Sequence, residues 1–98
     1  MAFGITSGRQ RLAADGAVGV SGKPVRVYNI TWLSGTTAGY VALRNGTGTA
    51  ADIDFYYDGV ASKTFTQNFD NGTLFPAGCY CDIDANVSWV VVNFGMEV

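Results

Sequence analysis

The chain has 98 residues, of which 48% are hydrophobic, 13% aromatic and only 14% charged, with a formal net charge of −2. This length allows one domain with a packed core, and the composition excludes a disordered chain, which would combine low hydrophobicity with high charge. No run of basic residues and no apolar stretch near the ~20 residues of a membrane helix occurs, so we expect neither a nucleic-acid partner nor a membrane partner.

The first 22 residues carry the weakest pattern. They are compatible with an extended arm, with a first strand or, around residues 10–14, with a single helical turn. We therefore divide the chain into residues 1–22, an N-terminal arm or first strand, and residues 23–98, a β-sandwich domain.

Four turn dipeptides divide the chain into short segments. They are Asp15-Gly16, Asn45-Gly46, Asp58-Gly59 and Asn71-Gly72. Each pair tolerates the positive φ angles of a tight β-hairpin turn, and the last three recur every 13 residues. This spacing predicts hairpins of a compact antiparallel sheet.

The longest predicted strand covers residues 23–34. Its candidate core residues occupy odd-numbered positions in the first half and even-numbered positions in the second half. A β-bulge near Tyr28-Asn29 is therefore needed to bring all of them to one face of the strand. These candidates are Val25, Val27, Ile30 and Trp32. The sequence therefore predicts a bulged strand that packs on a core.

Further strands are predicted over residues 40–44, 51–58, 60–69, 79–84 and 88–94. In the second of these, Ile53, Phe55 and Tyr57 alternate with residues of the opposite face. The segment 88–94 is apolar on both faces, which is typical of a central strand or of one covered by a neighbouring subunit. Seven or eight short strands predict an all-β fold, a single antiparallel β-sandwich of immunoglobulin-like or jelly-roll type.

The residues that most catalytic sites need are missing. The chain has no histidine, and it shows no glycine-rich phosphate loop in a strand-to-helix context. We predict that the protein is not an enzyme, that it has no catalytic or metal-binding residue and that it binds no cofactor. Cys79 and Cys81 are expected to share one strand face as buried, reduced thiols.

Two Asp-Ile-Asp segments, 52–54 and 82–84, leave two interpretations open. If their strands were adjacent, four carboxylates would gather and bind calcium. In the simpler interpretation, the aspartates lie at the surface while Ile53 and Ile83 fill the core. Tyr56 and Tyr80 share parity with aspartates, so we expect them to be exposed.

The charges divide by chain half. Residues 1–49 contain five basic residues and one acidic residue, a charge of +4, whereas residues 50–98 contain one basic and seven acidic residues, a charge of −6. Together with the apolar segment 88–94, this asymmetry suits a subunit that meets neighbours of opposite sign. The predicted interface residues are Arg9, Arg11, Trp89, Val90 and Val92.

The stretch from Val25 to Val92 resembles small β-sandwich virion proteins of tailed bacteriophages, of the head decoration (cement) type. The resemblance rests on four motifs: YNITWLSGTTAG at 28–39, LRNGT at 43–47, FPAGCY at 75–80 and DIDANVS at 82–88. It implies a multicopy structural protein, often a trimer, that binds the major capsid protein and stabilises an icosahedral shell. The expected location is the capsid surface of a virion, after synthesis in the host cytoplasm.

Two other functions fit a small β module. One is a receptor- or glycan-binding module on a phage tail or fibre, which would use the aromatic residues. The other is a cellular immunoglobulin-like adhesion module. Adhesion normally requires export, and the first eight residues lack the basic leader and apolar run of a secretory signal.

Overall fold

A computed structural model of the protein describes residues 5–97, with side chains described for residues 8–96. The described chain forms eight β-strands and no helix. The strands are β1 (Ile5–Leu12), β2 (Gly16–Val18), β3 (Val25–Ser34), β4 (Tyr40–Asn45), β5 (Asp52–Asp58), β6 (Thr64–Phe75), β7 (Cys79–Ile83) and β8 (Val87–Glu97). Residues 5–18, whose structure the sequence left open, thus form two strands, and no helical turn occurs at residues 10–14.

The strands form two antiparallel four-stranded sheets. Sheet A has the order β1-β8-β3-β6 and sheet B the order β2-β7-β4-β5. In an immunoglobulin-like sandwich the first two strands are neighbours in one sheet, but here they lie in different sheets. The predicted all-β sandwich is confirmed, and its topology is that of a jelly roll.

This topology corrects the prediction of four hairpins. Only β4 and β5 are both consecutive and paired, and their connection spans residues 46–51. Asp15-Gly16 and Asp58-Gly59 stand where the chain passes from one sheet to the other, and Asn71-Gly72 lies inside β6. A turn dipeptide specifies local φ angles, but it carries no information about which strand the chain pairs with next.

The predicted bulge in β3 is confirmed. The register with β8 shifts between Val27 and Asn29, so that Tyr28 is the inserted residue relative to that strand. As a result Val25, Val27, Ile30 and Trp32 are all buried. On the β6 side the irregularity is wider, because Val27 pairs with Thr73 while Asn29 pairs with Asn68.

The core lies between the inner faces of the two sheets. At the β5–β6 side an aromatic cluster closes the sandwich, with Trp32 stacked on Phe65 at a ring-centroid distance of 5.5 Å. The other rings of this cluster are Phe55, Tyr57 and Phe69. Aromatic side chains fill this open side because each covers a large apolar area from a single backbone position.

The opposite side of the sandwich is closed by a polar side chain. Gln10 of β1 donates a hydrogen bond from Nε2 to the Ala17 carbonyl at 2.8 Å, and its Oε1 accepts one from the Gly19 amide at 2.9 Å. Gln10 thereby joins sheet A to the short edge strand of sheet B. A polar linker suits this position because β2 is too short to cover it with apolar side chains.

A second bulge corrects the predicted alternation in β5. The register with β4 shifts between Leu43 and Arg44, which places Phe55 opposite Leu43 but Ile53 opposite Arg44. Ile53 therefore lies on the outer face and is 47% exposed. Phe55 and Tyr57 keep the predicted inward direction and contact Trp32.

Candidate functional site

The outer surface of sheet A brings together three of the five predicted interface residues. Arg9 and Arg11 are exposed on the edge strand β1, and Trp89 is half-buried on the neighbouring strand β8. Arg11 pairs with Val91, and Trp89 pairs with Leu33 of β3. We call the surface formed by these five residues the Arg–Trp face.

The remaining two predicted interface residues, Val90 and Val92, belong to the core. Both are 0% exposed. Because β8 is a central strand, its side chains alternate between the core and the outer surface, and the outward positions are Trp89 and Val91. Their assignment to an interface is corrected accordingly, and the outer apolar surface of β8 consists of Trp89 and Val91.

Hydrogen bonds fix the polar part of this surface. Arg9 Nε donates to Asn93 Oδ1 at 3.3 Å, and Asn93 Nδ2 donates to Asn29 Oδ1 at 2.5 Å. In the next row the hydroxyls of Thr31 and Thr66 lie 3.0 Å apart. These hydrogen bonds order the polar side chains on the outer face of an open four-stranded sheet, whereas sites for small molecules are usually concave. An open sheet face suits a macromolecular partner.

The outer surface of sheet B carries a different network, centred on a buried carboxylate. Asp82 is 6% exposed. Its Oδ2 accepts a hydrogen bond from Arg44 Nε at 3.0 Å, and its Oδ1 accepts one from the Tyr40 hydroxyl at 3.1 Å. Arg44 also donates from Nη1 to the Ala51 carbonyl at 2.7 Å. No local pattern in the sequence indicates this network, since only the β4–β7 register brings Arg44 close to Asp82.

Two tyrosines stack beside this network. The rings of Tyr40 and Tyr56 have centroids 5.5 Å apart and an interplanar angle of 15°. The Tyr56 hydroxyl donates to Asp58 Oδ1 at 2.9 Å, and this hydrogen bond is the main cause that raises the pKa of Tyr56. Burial, followed by the hydrogen bond to Asp82, raises the pKa of Tyr40. Both phenols therefore keep their protons and act as donors to carboxylates.

We call the surface formed by Tyr40, Arg44, Tyr56, Asp58 and Asp82 the Tyr–Asp face. Tyr56 is 50% exposed there, which confirms its prediction. Tyr80, which was also predicted to be exposed, is half-buried. The predicted parity along β7 is confirmed, but β7 is a central strand, so its neighbours β2 and β4 cover this side chain from both sides.

The charges of the strands separate by sheet. The strands of sheet A carry three arginines, Asp70 and Glu97, a net charge of +1, whereas those of sheet B carry Arg44 and four aspartates, a net charge of −3. The difference between the sheets is not the difference between the two chain halves, because each half contributes two strands to each sheet. Such a distribution orients a protein toward charged partners.

The two Asp-Ile-Asp segments do not meet. β5 and β7 lie on opposite sides of β4, and Asp82 is engaged by Arg44. Among the described residues, no group of three or more histidine, cysteine, aspartate or glutamate side chains is arranged to hold a metal ion. The simpler interpretation holds for Ile83, which is 8% exposed, but it is wrong for Ile53, which is exposed, and for Asp82, which is buried.

Cys79 and Cys81 lie on the inner face of β7 as free, buried thiols, as predicted. Burial raises the pKa of Cys79 to about 12 and raises that of Cys81 as well. A thiol reacts through its thiolate, so these two positions act as small core residues.

An open depression of about 500 Å³ lies at one end of the sandwich, between the β1–β2 corner and the β7–β8 turn. It is lined by Ala13, Ala14, Asp15, Ile83, Asp84 and Ala85. Asp15 Oδ1 accepts a hydrogen bond from the Ile83 amide at 2.6 Å, which fixes this carboxylate to the backbone. The lining is mostly alanine, and it places no further side-chain hydrogen-bond donor beside the two carboxylates.

In the part of the chain that the structure describes, no helix is long and apolar enough to cross a membrane. No protein-family model matches the sequence, and neither a curated protein nor a solved structure matches it.

Proposed function

We propose that this protein is a non-enzymatic structural subunit that decorates a phage capsid and stabilises it through protein–protein contacts of the Arg–Trp face. The single observation that carries the proposal is the arrangement of Arg9, Arg11 and Trp89 together on the outer surface of sheet A. Tryptophan and arginine are the residues most enriched in the energetic centres of protein interfaces. The jelly-roll topology, which viral capsid domains also use, and the virion-protein resemblance agree with this role.

The apolar and charged residues of the face have different tasks in this proposal. Burial of Trp89, Val91 and Leu33 supplies affinity, at roughly 25 cal/mol per Å² of apolar area before the costs of association are subtracted. Arg9 and Arg11 set orientation and accelerate encounter with an acidic surface of the major capsid protein. Because this surface is partly polar, the free subunit stays soluble.

Co-sedimentation of the purified protein with decoration-free capsids tests the proposal. Arg11→Glu, and more strongly the double variant Arg9→Glu with Arg11→Glu, should weaken binding, most visibly at low salt, where charge interactions are least screened. Trp89→Ala should weaken binding at every salt concentration. Lys23→Glu is the matched control for Arg11→Glu, because it makes the same charge change at an exposed loop position.

A folded protein that ignores capsids at all salt concentrations would refute the proposal. So would binding that Arg11→Glu and Lys23→Glu reduce equally, because the effect would then come from net charge and not from the Arg–Trp face. Circular dichroism of each variant establishes that the fold is kept.

A second candidate function, glycan binding on a phage tail or fibre, is favoured by the Tyr–Asp face. A half-exposed tyrosine ring beside carboxylate acceptors is a suitable platform for a sugar, and jelly rolls include lectin domains. In this case the protein would bind host cells or a glycan array, and Tyr56→Ala would abolish binding while Arg11→Glu would not. The two functions therefore predict opposite patterns for the same pair of variants.

A further inference from the structure

The four edge strands of the sandwich differ in how well they are protected against pairing with another strand. β2 has only three residues, β1 carries Arg9 and Arg11, and β5 carries three aspartates. Short length and charge are the usual protections of an exposed edge. By contrast, residues 64–69 of β6 (TFTQNF) contain no charge and form a regular strand beside β3.

The hydrogen-bond pattern shows which backbone groups of β6 face away from the sheet. The Ser34 amide donates to the Lys63 carbonyl at 3.1 Å, so the pair Ser34–Lys63 is a hydrogen-bonded pair of the antiparallel ladder. Hydrogen-bonded and non-hydrogen-bonded pairs alternate. Positions 65 and 67 therefore bond to β3, and the amides and carbonyls of positions 64, 66 and 68 point to the free edge.

One side chain already uses this edge. Gln67 Nε2 donates to the Asn68 carbonyl at 2.9 Å, which agrees with the outward direction of that carbonyl. The amides of Thr64 and Thr66 have the same outward direction. This stretch of backbone can accept a further strand without disturbing the bonds between β6 and β3.

We propose that the free edge of β6 from Thr64 to Asn68 is a strand-pairing site for a second copy of this chain. Two copies pair antiparallel about a twofold axis at Thr66, with Thr64 of one opposite Asn68 of the other. The three hydrogen-bonded pairs contribute about six backbone hydrogen bonds. Sheet A then continues through β6 of both copies into one eight-stranded sheet.

The charges around this segment are compatible with a second copy as the occupant. Antiparallel self-pairing about Thr66 places Lys63 opposite Phe69 and Asp70 opposite Ser62 of the other copy, so no like charges face each other. Self-pairing of β5 about Phe55 would instead place Asp52 opposite Asp58, and like charges directly opposite each other destabilise a sheet. The structure thus favours β6 and disfavours β5.

The direction of each amide provides a sharp test. Thr66→Pro removes an outward amide, and proline is tolerated on edge strands at such positions, so the monomer should fold while dimerisation weakens by at least about tenfold. Thr66→Val keeps the amide and should dimerise like the natural chain. Phe65→Pro removes an amide bonded to β3 and should unfold the protein. Sedimentation equilibrium measures the mass, and circular dichroism reports folding.

Thr66→Lys is a second route to the same answer if the proline variant fails to fold. It places two like charges opposite each other at the twofold axis, while the monomer keeps all its backbone bonds. Thr47→Lys, at an exposed loop position outside the edge, is its control. We expect Thr66→Lys to be monomeric and Thr47→Lys to remain a dimer.

Hydrogen exchange of the individual amides supplies an independent readout. At high protein concentration the amides of Thr64, Thr66 and Asn68 should be protected, and on dilution they should exchange fast. A protein that remains monomeric at millimolar concentration overturns the inference, as does a dimer or trimer that Thr66→Lys leaves intact. The capsid assay described above is separate, because a Thr66 variant loses the hydroxyl contact with Thr31 but keeps Arg9, Arg11 and Trp89, which make the proposed capsid contacts.

Discussion

Arg44 and Asp82 form an ion pair on the outer face of sheet B, with Arg44 Nε 3.0 Å from Asp82 Oδ2. The two residues are 38 positions apart in the chain and lie on adjacent strands, β4 and β7. Since the carboxylate is almost completely shielded from water, its charge depends on Arg44 and on the Tyr40 hydroxyl for compensation. This ion pair is therefore a structural element of the fold.

Replacing Asp82 by alanine should destabilise the protein. The substitution leaves Arg44 and Tyr40 without their shared acceptor, so we expect the free energy of unfolding to fall by about 2–4 kcal/mol. Asp58→Ala is the control, because Asp58 lies on the same face but is exposed, and its loss should change stability by less than about 0.5 kcal/mol. Urea denaturation compares the two variants. Equal effects would contradict a structural role of Asp82.

The alternation along β8 predicts opposite results for neighbouring valines. Val90→Asp places a carboxylate in the core without a partner, and we expect it to unfold the protein or to reduce stability by at least about 4 kcal/mol. Val91→Asp changes a half-buried outer position and should leave a folded protein. Thermal unfolding followed by circular dichroism distinguishes them. A folded Val90→Asp variant would show that the inner face of β8 is assigned incorrectly.

The side chain of Gln10, which links the two sheets through two hydrogen bonds, should contribute measurably to the stability of the protein. Gln10→Ala removes both of its hydrogen bonds and leaves the Ala17 carbonyl and the Gly19 amide without these partners, at a cost of about 1–3 kcal/mol. Arg11→Ala is the control, because Arg11 is the next residue of β1 and is exposed on the outer face. This substitution should lower the free energy of unfolding by less than about 0.5 kcal/mol. Hydrogen exchange should also show faster opening of β2 in Gln10→Ala, and unchanged exchange there would refute the link.

The buried thiols predict a loss of stability at alkaline pH. Burial raises the pKa of Cys79 from 9.0 to about 12 in the folded protein, so above pH 9 the unfolded chain loses protons that the folded chain retains. The stabilisation is complete below pH 9 and is lost progressively as the pH approaches 12, by about 2–3 kcal/mol at pH 11. Cys81, whose pKa is also raised, adds to the same effect.

The measurement compares urea denaturation at pH 8 and pH 11 for the natural chain and for the variant Cys79→Ala with Cys81→Ala. The variant is less stable at pH 8 because it lacks two buried sulfur atoms, but it should lose less stability between the two pH values. The pKa of Tyr40 is also raised, but Tyr40 contributes equally to the pH dependence of both proteins and so does not affect the comparison. An identical pH dependence of the two proteins would contradict the burial of the thiols.

Some features of the fold could be read from the sequence because they depend on neighbouring residues only. The change of parity between Val27 and Ile30 required a bulge, since the side chains of a strand alternate between its two faces and all four apolar residues had to reach the core. The burial of Cys79 and Cys81 on one face followed from the same rule. The low charge and many turn residues were sufficient for the all-β class.

Predictions from the sequence were wrong where the outcome depended on the register between two neighbouring strands. Ile53 continues a perfect alternation with Phe55 and Tyr57, but the bulge opposite Arg44 turns it outward. Asn71-Gly72 has the composition of a hairpin turn and instead bends β6 beside Arg26, where a side chain on Gly72 would lie 2.6 Å from Arg26 Cγ. Periodicity within one strand does not reveal insertions relative to its neighbour.

The sequence alone determined the β-sandwich class, the bulged core strand and the opposite signs of the two chain halves. Only the tertiary structure decided that the chain is a jelly roll, that Val90 and Val92 are core residues, and that Arg44, Tyr40 and Asp82 meet. The physical reason is that most connections pass between sheets, so that β8 pairs with β1 and β3, and β7 pairs with β2 and β4. Contacts between segments so far apart in the chain depend on the complete packing of both sheets, which no local pattern encodes.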